Sequence, residues 1–352
     1  MTAHPRPKER GPRVTGQSIG LEDKKLTAVR RGRPLLEAIV AVTVALTLPA
    51  LEGCHRDASP ASQAGTPTTK ALVSTIRTEP RTFNRHAGRD SILEQFTHLT
   101  QARLVRIDRR TQELQPWLAE SWTLSPDNLT YTLKLRPGIT FSDGVPFTSA
   151  DVLFSFRGVY DEKTDSALNE AMRVGGKPLE VSAPDASTVV VTFPTTFGPG
   201  IRLLDNLPIL PRHKLEAALN AGTLGDAWGV STAPSEMPGL GAFVLEAYEP
   251  GQRLVFVRNP RYWRRDDKGG RLPVLDKLTL EIVPDQNAEV LALQTGKSDF
   301  AQTEVRPEDY AALKRAADGG KLVITDLGAG LDADSFWLNL RPGGRRPPSG
   351  RG

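Results

Sequence analysis

One cysteine, Cys54, stands in 352 residues, so no internal disulfide can staple this chain even in a compartment that permits them. Metal-binding patterns are equally scarce. The five histidines, His4, His55, His86, His98 and His213, are scattered, and no pair has the HExxH or Cys/His spacing of a zinc site. No GxSxG elbow, Walker loop or GxGxxG occurs, which removes the common nucleophile and phosphate cradles. Gly239-Leu240-Gly241 is a bare GxG, read as a tight backbone approach to a strand. The pairs Asp266-Asp267 and Asp332/Asp334 lack the polar company of catalytic carboxylates and read as solvated loop residues. The expectation is a protein that is not an enzyme and uses neither cofactor nor metal.

Long apolar runs are missing too. The longest, Leu35 to Leu48, falls short of the roughly 20 residues of an ordinary spanning helix but suits the core of a signal peptide. Arg30, Arg31 and Arg33 precede it, and Leu51-Glu52-Gly53-Cys54 follows, the layout of a bacterial lipoprotein signal. Glu37 inside the run, Glu52 in the lipobox and the long stretch before Arg30 depart from that layout. Cys54 is thus read as a lipidation site, with ordinary cleavage or an uncleaved anchor as the alternatives. Residues 55–70, rich in Ser, Pro, Thr, Ala and Gly, form a flexible tether.

A net charge of +4 suggests a basic protein, but its distribution says otherwise. Residues 1–53 carry nine Lys and Arg against five acids, and residues 341–352 carry four Arg and no acid. Residues 54–340 then hold 32 basic and 36 acidic side chains, a net charge of −4. Nucleic-acid binding, which relies on clustered cations, loses its support. Arg258, Arg261, Arg264 and Arg265 beside Tyr262 and Trp263 are read as a solvated charge run.

Turn, strand and helix-start signals follow one another from Trp117 to Phe156. Ser125-Pro126-Asp127-Asn128 is turn chemistry, and Leu129 to Leu135 alternates apolar with Thr and Lys, which predicts a hairpin with one buried face. Pro137-Gly138 and Asp143-Gly144 are breaks. Thr148 with Asp151 has the form of a capping box opening a helix near Ser149, with Val152, Leu153, Phe156 and Val159 inward and Ser155 and Arg157 outward. Further strands are predicted at 188–193, 254–258, 278–283, 322–325 and 336–340, and helices at 212–219, 287–294 and 307–317. The mixture lacks a strict βαβ rhythm and shows no repeat, which points to α/β lobes with mixed sheets.

The block WLAESWTLSPDNLTYTLKLRPGITFSDGVPFTSADVLFSF resembles extracytoplasmic solute-binding proteins, family 5, of peptide and nickel ABC transporters. Residues 239–266 and 275–300 look like two further family blocks in the expected order. The resemblance implies an α/β, periplasmic-binding-protein-like fold of class II, family 5 type. The first lobe would be discontinuous, 71–98 and 184–331, with a smaller domain inserted at 99–183. Residues 1–53 would be the signal peptide, 54–70 the linker and 332–340 the crossover to a mostly absent second lobe. Residues 341–352 would be a disordered tail, since they contain no apolar side chain.

By the same resemblance the opening block matches at Glu79, Thr82, Phe83 and Asn84, and Arg89, Asp90 and Ser91 fall at ligand-facing positions. Leu240 and Gly241 occupy a second cleft-facing block and Phe336 the crossover; fold support is the alternative for each. The implied function is a lipid-anchored binding protein, monomeric, that captures a peptide or other small solute outside the cytoplasmic membrane and delivers it to the permease. The alternative is a truncated envelope lipoprotein or decayed product that binds no transport substrate.

Overall fold

The computed structural model describes residues 24–29, 69–301 and 305–329. They divide into two units, 24–29 with 305–329, and 69–301. In the smaller unit β1 (Lys24–Val29) is a strand.

The larger unit opens with β2 (Ala71–Ile76) and α1 (Ser91–Thr100), then the hairpin of β3 (Val105–Ile107) and β4 (Leu114–Pro116). Next come β5 (Ala119–Leu124) and β6 (Thr130–Leu135), joined by the predicted turn, where Asn128 at φ +60° supplies the left-handed residue. After α2 (Ser149–Tyr160), β7 (Arg173–Val174) and β8 (Lys177–Pro178) pair, and β9 (Glu180–Asp185) and β10 (Thr188–Thr192) follow. Strands β5, β6, β10 and β9 form one antiparallel sheet in that order. Its alternation works as period two requires, burying Leu133, Leu135, Val189 and Val191 while Lys134 stays exposed. Each such aliphatic side chain contributes roughly 1.5–3 kcal/mol by leaving water.

Downstream lie α3 (Arg212–Ala221), β11 (Phe243–Glu249), β12 (Arg253–Arg258), β13 (Lys277–Ile282) and α4 (Gln286–Thr295). A second, mixed sheet runs β11, β12, β13, β2, antiparallel except for the parallel pair β13–β2, in which Lys277 lies opposite Ala71 and Ile282 opposite Ile76. Helix α4 is capped at both ends. The Asp285 carboxylate accepts the Ala288 N–H at 2.9 Å, and Gly296 closes the helix at φ +73°.

Two apolar cores result. One holds Leu104, Leu118, Leu133, Phe141, Val189 and Val191, and its members run from Ala102 to Ile209 with Leu240. The other gathers Phe83, Leu93, Phe96, Leu254 and Phe256. The boundary expected from the resemblance is 183/184. It falls inside β9, and the Val189 and Val191 side chains beyond it fill the first core because β10 pairs with β6.

Helix α2 starts where its capping box predicts, the Asp151 carboxylate accepting the Thr148 N–H at 2.9 Å. It is buried on more than the single face expected. Val152, Phe156 and Val159 enter the first core and Phe154 the second. Ser155, predicted to look outward, is fully buried. Its hydroxyl donates to the Asp151 carbonyl at 2.7 Å and accepts the Leu210 N–H at 2.9 Å. Arg157 is exposed as predicted.

In the smaller unit α5 (Pro307–Asp318) has proline in its first turn, Glu308 and Asp309 near its N-terminus and Arg315 in its last turn, each where the helix dipole favours it. It leads to β14 (Val323–Ala329), which pairs antiparallel with β1, Val29 opposite Val323. Residues 24–29 lie within the stretch read as a leader, and there a short segment of Lys, Leu, Thr, Ala and Val is extended and paired. Residues 305–329, placed in the first lobe by the resemblance, group with β1. No described helix is long and apolar enough to cross a membrane.

Candidate functional site

The loop from Glu79 to Asp90 carries the residues expected to face a ligand, and its own order comes from buried polar contacts. Phe83 is fully buried and its N–H donates to the Trp228 carbonyl at 2.8 Å. The Asn84 side chain donates to the Leu224 carbonyl at 2.6 Å and accepts the His86 N–H at 3.0 Å. Thr82 bridges by its hydroxyl to the Asn84 N–H at 3.1 Å. Glu79 accepts the Gly251 N–H. These side chains hold the loop, so their role here is support.

Arg89 and Ser91 end that loop exposed, and half-buried Asp90 is the N-cap position of α1. None of the three side chains hydrogen-bonds another described residue, although Asp90 contributes its carbonyl to the Glu94 N–H at 3.1 Å. They are contiguous in sequence and lie at one end of α1.

Behind them α1 is fixed by an ionic cluster. Glu94 accepts from Arg85 Nε and Arg103 Nη2, both at 2.7 Å, and contacts His98 Nε2 at 3.1 Å. Arginine can only donate, so His98 Nδ1, 2.8 Å from Arg103 Nη1, is the acceptor and Nε2 carries the proton toward Glu94. The His98 hydrogen bond, aided by the two guanidiniums, holds the Glu94 carboxyl far below the usual range against the opposing effect of burial.

Leu240 and Gly241 lie elsewhere. Gly241 donates to the Thr100 carbonyl at 2.9 Å and accepts from the Asn259 side chain at 2.8 Å. A Cβ on Gly241 would stand 2.4 Å from the Leu99 oxygen, and one on Gly239 1.9 Å from the Thr100 oxygen. The tight approach predicted for this GxG is present, but its partner is the C-terminal end of α1 and not a strand. Leu240, expected to face the cleft, is 1% exposed within the first core, so its side chain serves packing. The ten residues of α1 span about 15 Å, and they separate Gly241 from the Arg89–Ser91 group. The structure does not bring the two expected clusters together. Cys54, Phe336, Asp332 and Asp334 lie outside the described residues. Asp266 accepts the Lys268 and Gly270 N–H groups within its own loop, at 2.9 and 2.6 Å.

Sequence reasoning missed a cationic and aromatic cluster. The Arg264 guanidinium lies 4.1 Å from the Trp117 ring centroid and that of Arg106 5.3 Å from the same ring. Arg136 lies 5.3 Å from the Trp263 ring and donates to the Trp117 carbonyl at 2.7 Å. Trp117 and Trp263 meet edge to face at 5.7 Å, and Tyr262 adjoins Trp263 at 5.9 Å. Burial pushes the Tyr262 phenol up while Arg264 and Arg106 pull it down. The predicted solvated run 258–265 is thus partly a packed one. The missed signal was Arg106 and Trp117, distant in sequence from that run.

A groove of about 690 Å³ is lined by α2, β9 and the end of α3, including Phe156, Tyr160, Val181 and Leu219. None of the expected ligand-facing residues lines it. Among the described residues no group of three or more His, Cys, Asp or Glu is placed to hold a metal.

Residues 113–349 match the family described as bacterial extracellular solute-binding proteins, family 5 (middle). The chain belongs to that family. Among family 5 relatives and structures, a probable ABC transporter-binding protein of Deinococcus radiodurans is 29% identical over 239 residues, 65% of this chain and 40% of its own. The nickel-binding periplasmic protein of Escherichia coli is 30% identical over 185 residues, 53% of this chain and 32% of its own. The crystal structure of Haemophilus influenzae OppA in complex with RPPGFSPFR superposes with a TM-score of 0.60 at 27% identity, over 72% of this chain and 49% of that one. The chain spans about half or less of the length of these family 5 proteins. The α/β architecture with mixed sheets is the family 5 fold, and its relatives include binding proteins of ABC transporters.

Proposed function

We propose that this chain captures a peptide or other small solute outside the cytoplasmic membrane for delivery to an ABC permease, acting as a monomer without covalent chemistry. The observation that carries the reading is family membership across 113–349, with the ABC transporter relatives. The group at the start of α1, exposed Arg89 and Ser91 with half-buried Asp90, is the proposed contact to solute, with the Gly241 backbone and Phe336 as further candidates. Ligand closure in two-lobed binding proteins is a hinge motion, so the first-lobe surface would form one wall of the site. Native mass spectrometry of the purified chain after incubation with a mixed peptide pool tests this. Retained peptide, reduced at least tenfold in an Arg89→Ala, Asp90→Ala variant, is expected; no retained peptide at millimolar concentration overturns it.

Lipid attachment at Cys54 is part of the same proposal. Cleavage ahead of Cys54 would release residues 24–29, so lipidation and the β1–β14 pair exclude one another on one mature chain. In cells, Cys54→Ser should move the protein from the detergent phase to the aqueous phase on Triton X-114 partition, and an unchanged partition would argue against the anchor.

A further inference from the structure

His86 is fully buried where the two cores of residues 69–301 meet. Its ring lies against Gly158 of α2, and the Pro208 carbonyl reaches it from the segment that joins Leu207 and Ile209 of the first core to Leu210 of the second. Neither Nδ1 nor Nε2 has a hydrogen-bond partner, since the Gly158 and Pro208 carbonyls pull on the ring without being aligned to it. A neutral imidazole always carries one N–H, so a buried donor is left unpaired, which costs stability. The helix makes a second concession. A Cβ at Gly158 would stand 3.2 Å from Nδ1 and 2.9 Å from Leu224 Cδ2, so glycine, a poor helix former, occupies α2 where the ring is admitted. An apolar side chain would fill the same space at less cost. What an imidazole adds is a proton taken up on acidification.

A charged ring would find no counter-ion there. Arg85 is the charged side chain whose field reaches it, and that field opposes a proton. The acids on the neighbouring segments are engaged or turned to water. Glu94 accepts from Arg85 and Arg103, Asp151 from the Thr148 and Arg212 N–H groups, and Asp161 from the Thr164 N–H and hydroxyl, while Asp165 and Asp226 are exposed. The loop is tied through the same residue. The His86 carbonyl accepts the Ala167 N–H at 2.7 Å, and its N–H donates to the Asn84 side chain at 3.0 Å.

We propose that His86 is an acid-operated latch: neutral, its ring holds the loop 82–91 against α2 and the segments around Ala167 and Pro208; protonated, it leaves for water and frees the loop. Arg89, Asp90 and Ser91 lie three to five residues further on, so their placement loosens with it and solute is released at acid pH. The release rests on the solute-contact reading above and adds its regulation.

Hydrogen–deuterium exchange of the full chain at pH 7 and pH 4.5, corrected for the intrinsic rate at each pH, tests the latch. At pH 4.5 the amides of His86, Ala87 and Ala167 are expected to lose at least tenfold in protection while those of β6 and β10 keep theirs, and His86→Gln should abolish the difference. Should that variant fail to fold, carbon-13 NMR of labelled histidines in the wild-type chain decides, with an imidazole midpoint near 4 expected to track the loop amides. Loop protection unchanged at pH 4.5, or lost only together with that of the sheets, overturns the latch. Native mass spectrometry with the mixed peptide pool at the same two pH values separates the readings. Retained peptide should fall at least tenfold at pH 4.5 in the wild type. If the loop opens and peptide is retained equally, the latch stands and the solute contact at residues 89–91 falls. If no peptide is retained at pH 7, the transport reading falls and the exchange result alone decides the latch.

Discussion

At the scale of single residues, the glycines that cross α1 and the histidine beneath the opening loop are the least replaceable. Gly241 has no room for a methyl group, because the atoms it would meet are backbone atoms of Leu99 and Thr100. Gly241→Ala should cost about 3 kcal/mol, near the upper end for overpacking, read as a lowered urea midpoint with an unchanged slope. His86 is fully buried, and burial brings its imidazole down from 6.5 to about 4, with the Gly158 and Pro208 carbonyls offsetting only part. The folded state therefore resists a proton that the unfolded state accepts. Stability from this group is complete above pH 6.5 and is lost as pH falls toward 4, by up to about 3 kcal/mol. His86→Gln should flatten that part of the stability profile between pH 7 and pH 4.5. A slope equal to wild type would show that carboxylates alone set it.

At the scale of elements, caps and turns were legible because their chemistry is local. Ser125 to Asn128, Thr148 with Asp151, and Pro307 each act within a few residues, and the structure starts or turns the chain there. The burial of Ser155 and the packing of Trp117 against Arg264 were not legible, since each depends on a partner dozens of residues away. Leu240 shows the same limit from the other side. Its resemblance to a cleft position said nothing of the core that encloses it. Asp151 does more than its cap: its other carboxylate oxygen accepts the Arg212 N–H at 3.1 Å, tying the starts of α2 and α3. Asp151→Ala leaves both donors without this partner and should destabilise by about 2 kcal/mol, measurable as faster hydrogen exchange at the first turns of both helices.

At the scale of the whole molecule, the two cores of residues 69–301 share a wall. Because α2 sends Phe154 one way and Val152, Phe156 and Val159 the other, neither core closes without it. Phe154→Ala should cost about 3–5 kcal/mol and lower a single calorimetric transition for this unit. Two separated transitions, with the first core unshifted, would mean that the cores fold independently. The resemblance led to an expected insertion at 99–183, while the structure gathers two apolar cores within residues 69–301. The limits of the first core were not legible, because β10 reads as an ordinary strand until β6 is known to be its neighbour.

The parallel pairing of β2 with β13 sets the timing of assembly. Its flanking contact, Lys70 N–H to the Asp276 carboxylate at 2.8 Å, joins residues 206 positions apart. At synthesis rates of about 5–20 residues per second, β2 waits roughly 10–40 s for its neighbour to be made. During that interval the second sheet lacks this edge strand, and the entropy of closing so long a loop further delays docking. The second sheet built this way remains open until β13 exists, a state that a translocation channel can thread and that a chaperone has time to hold.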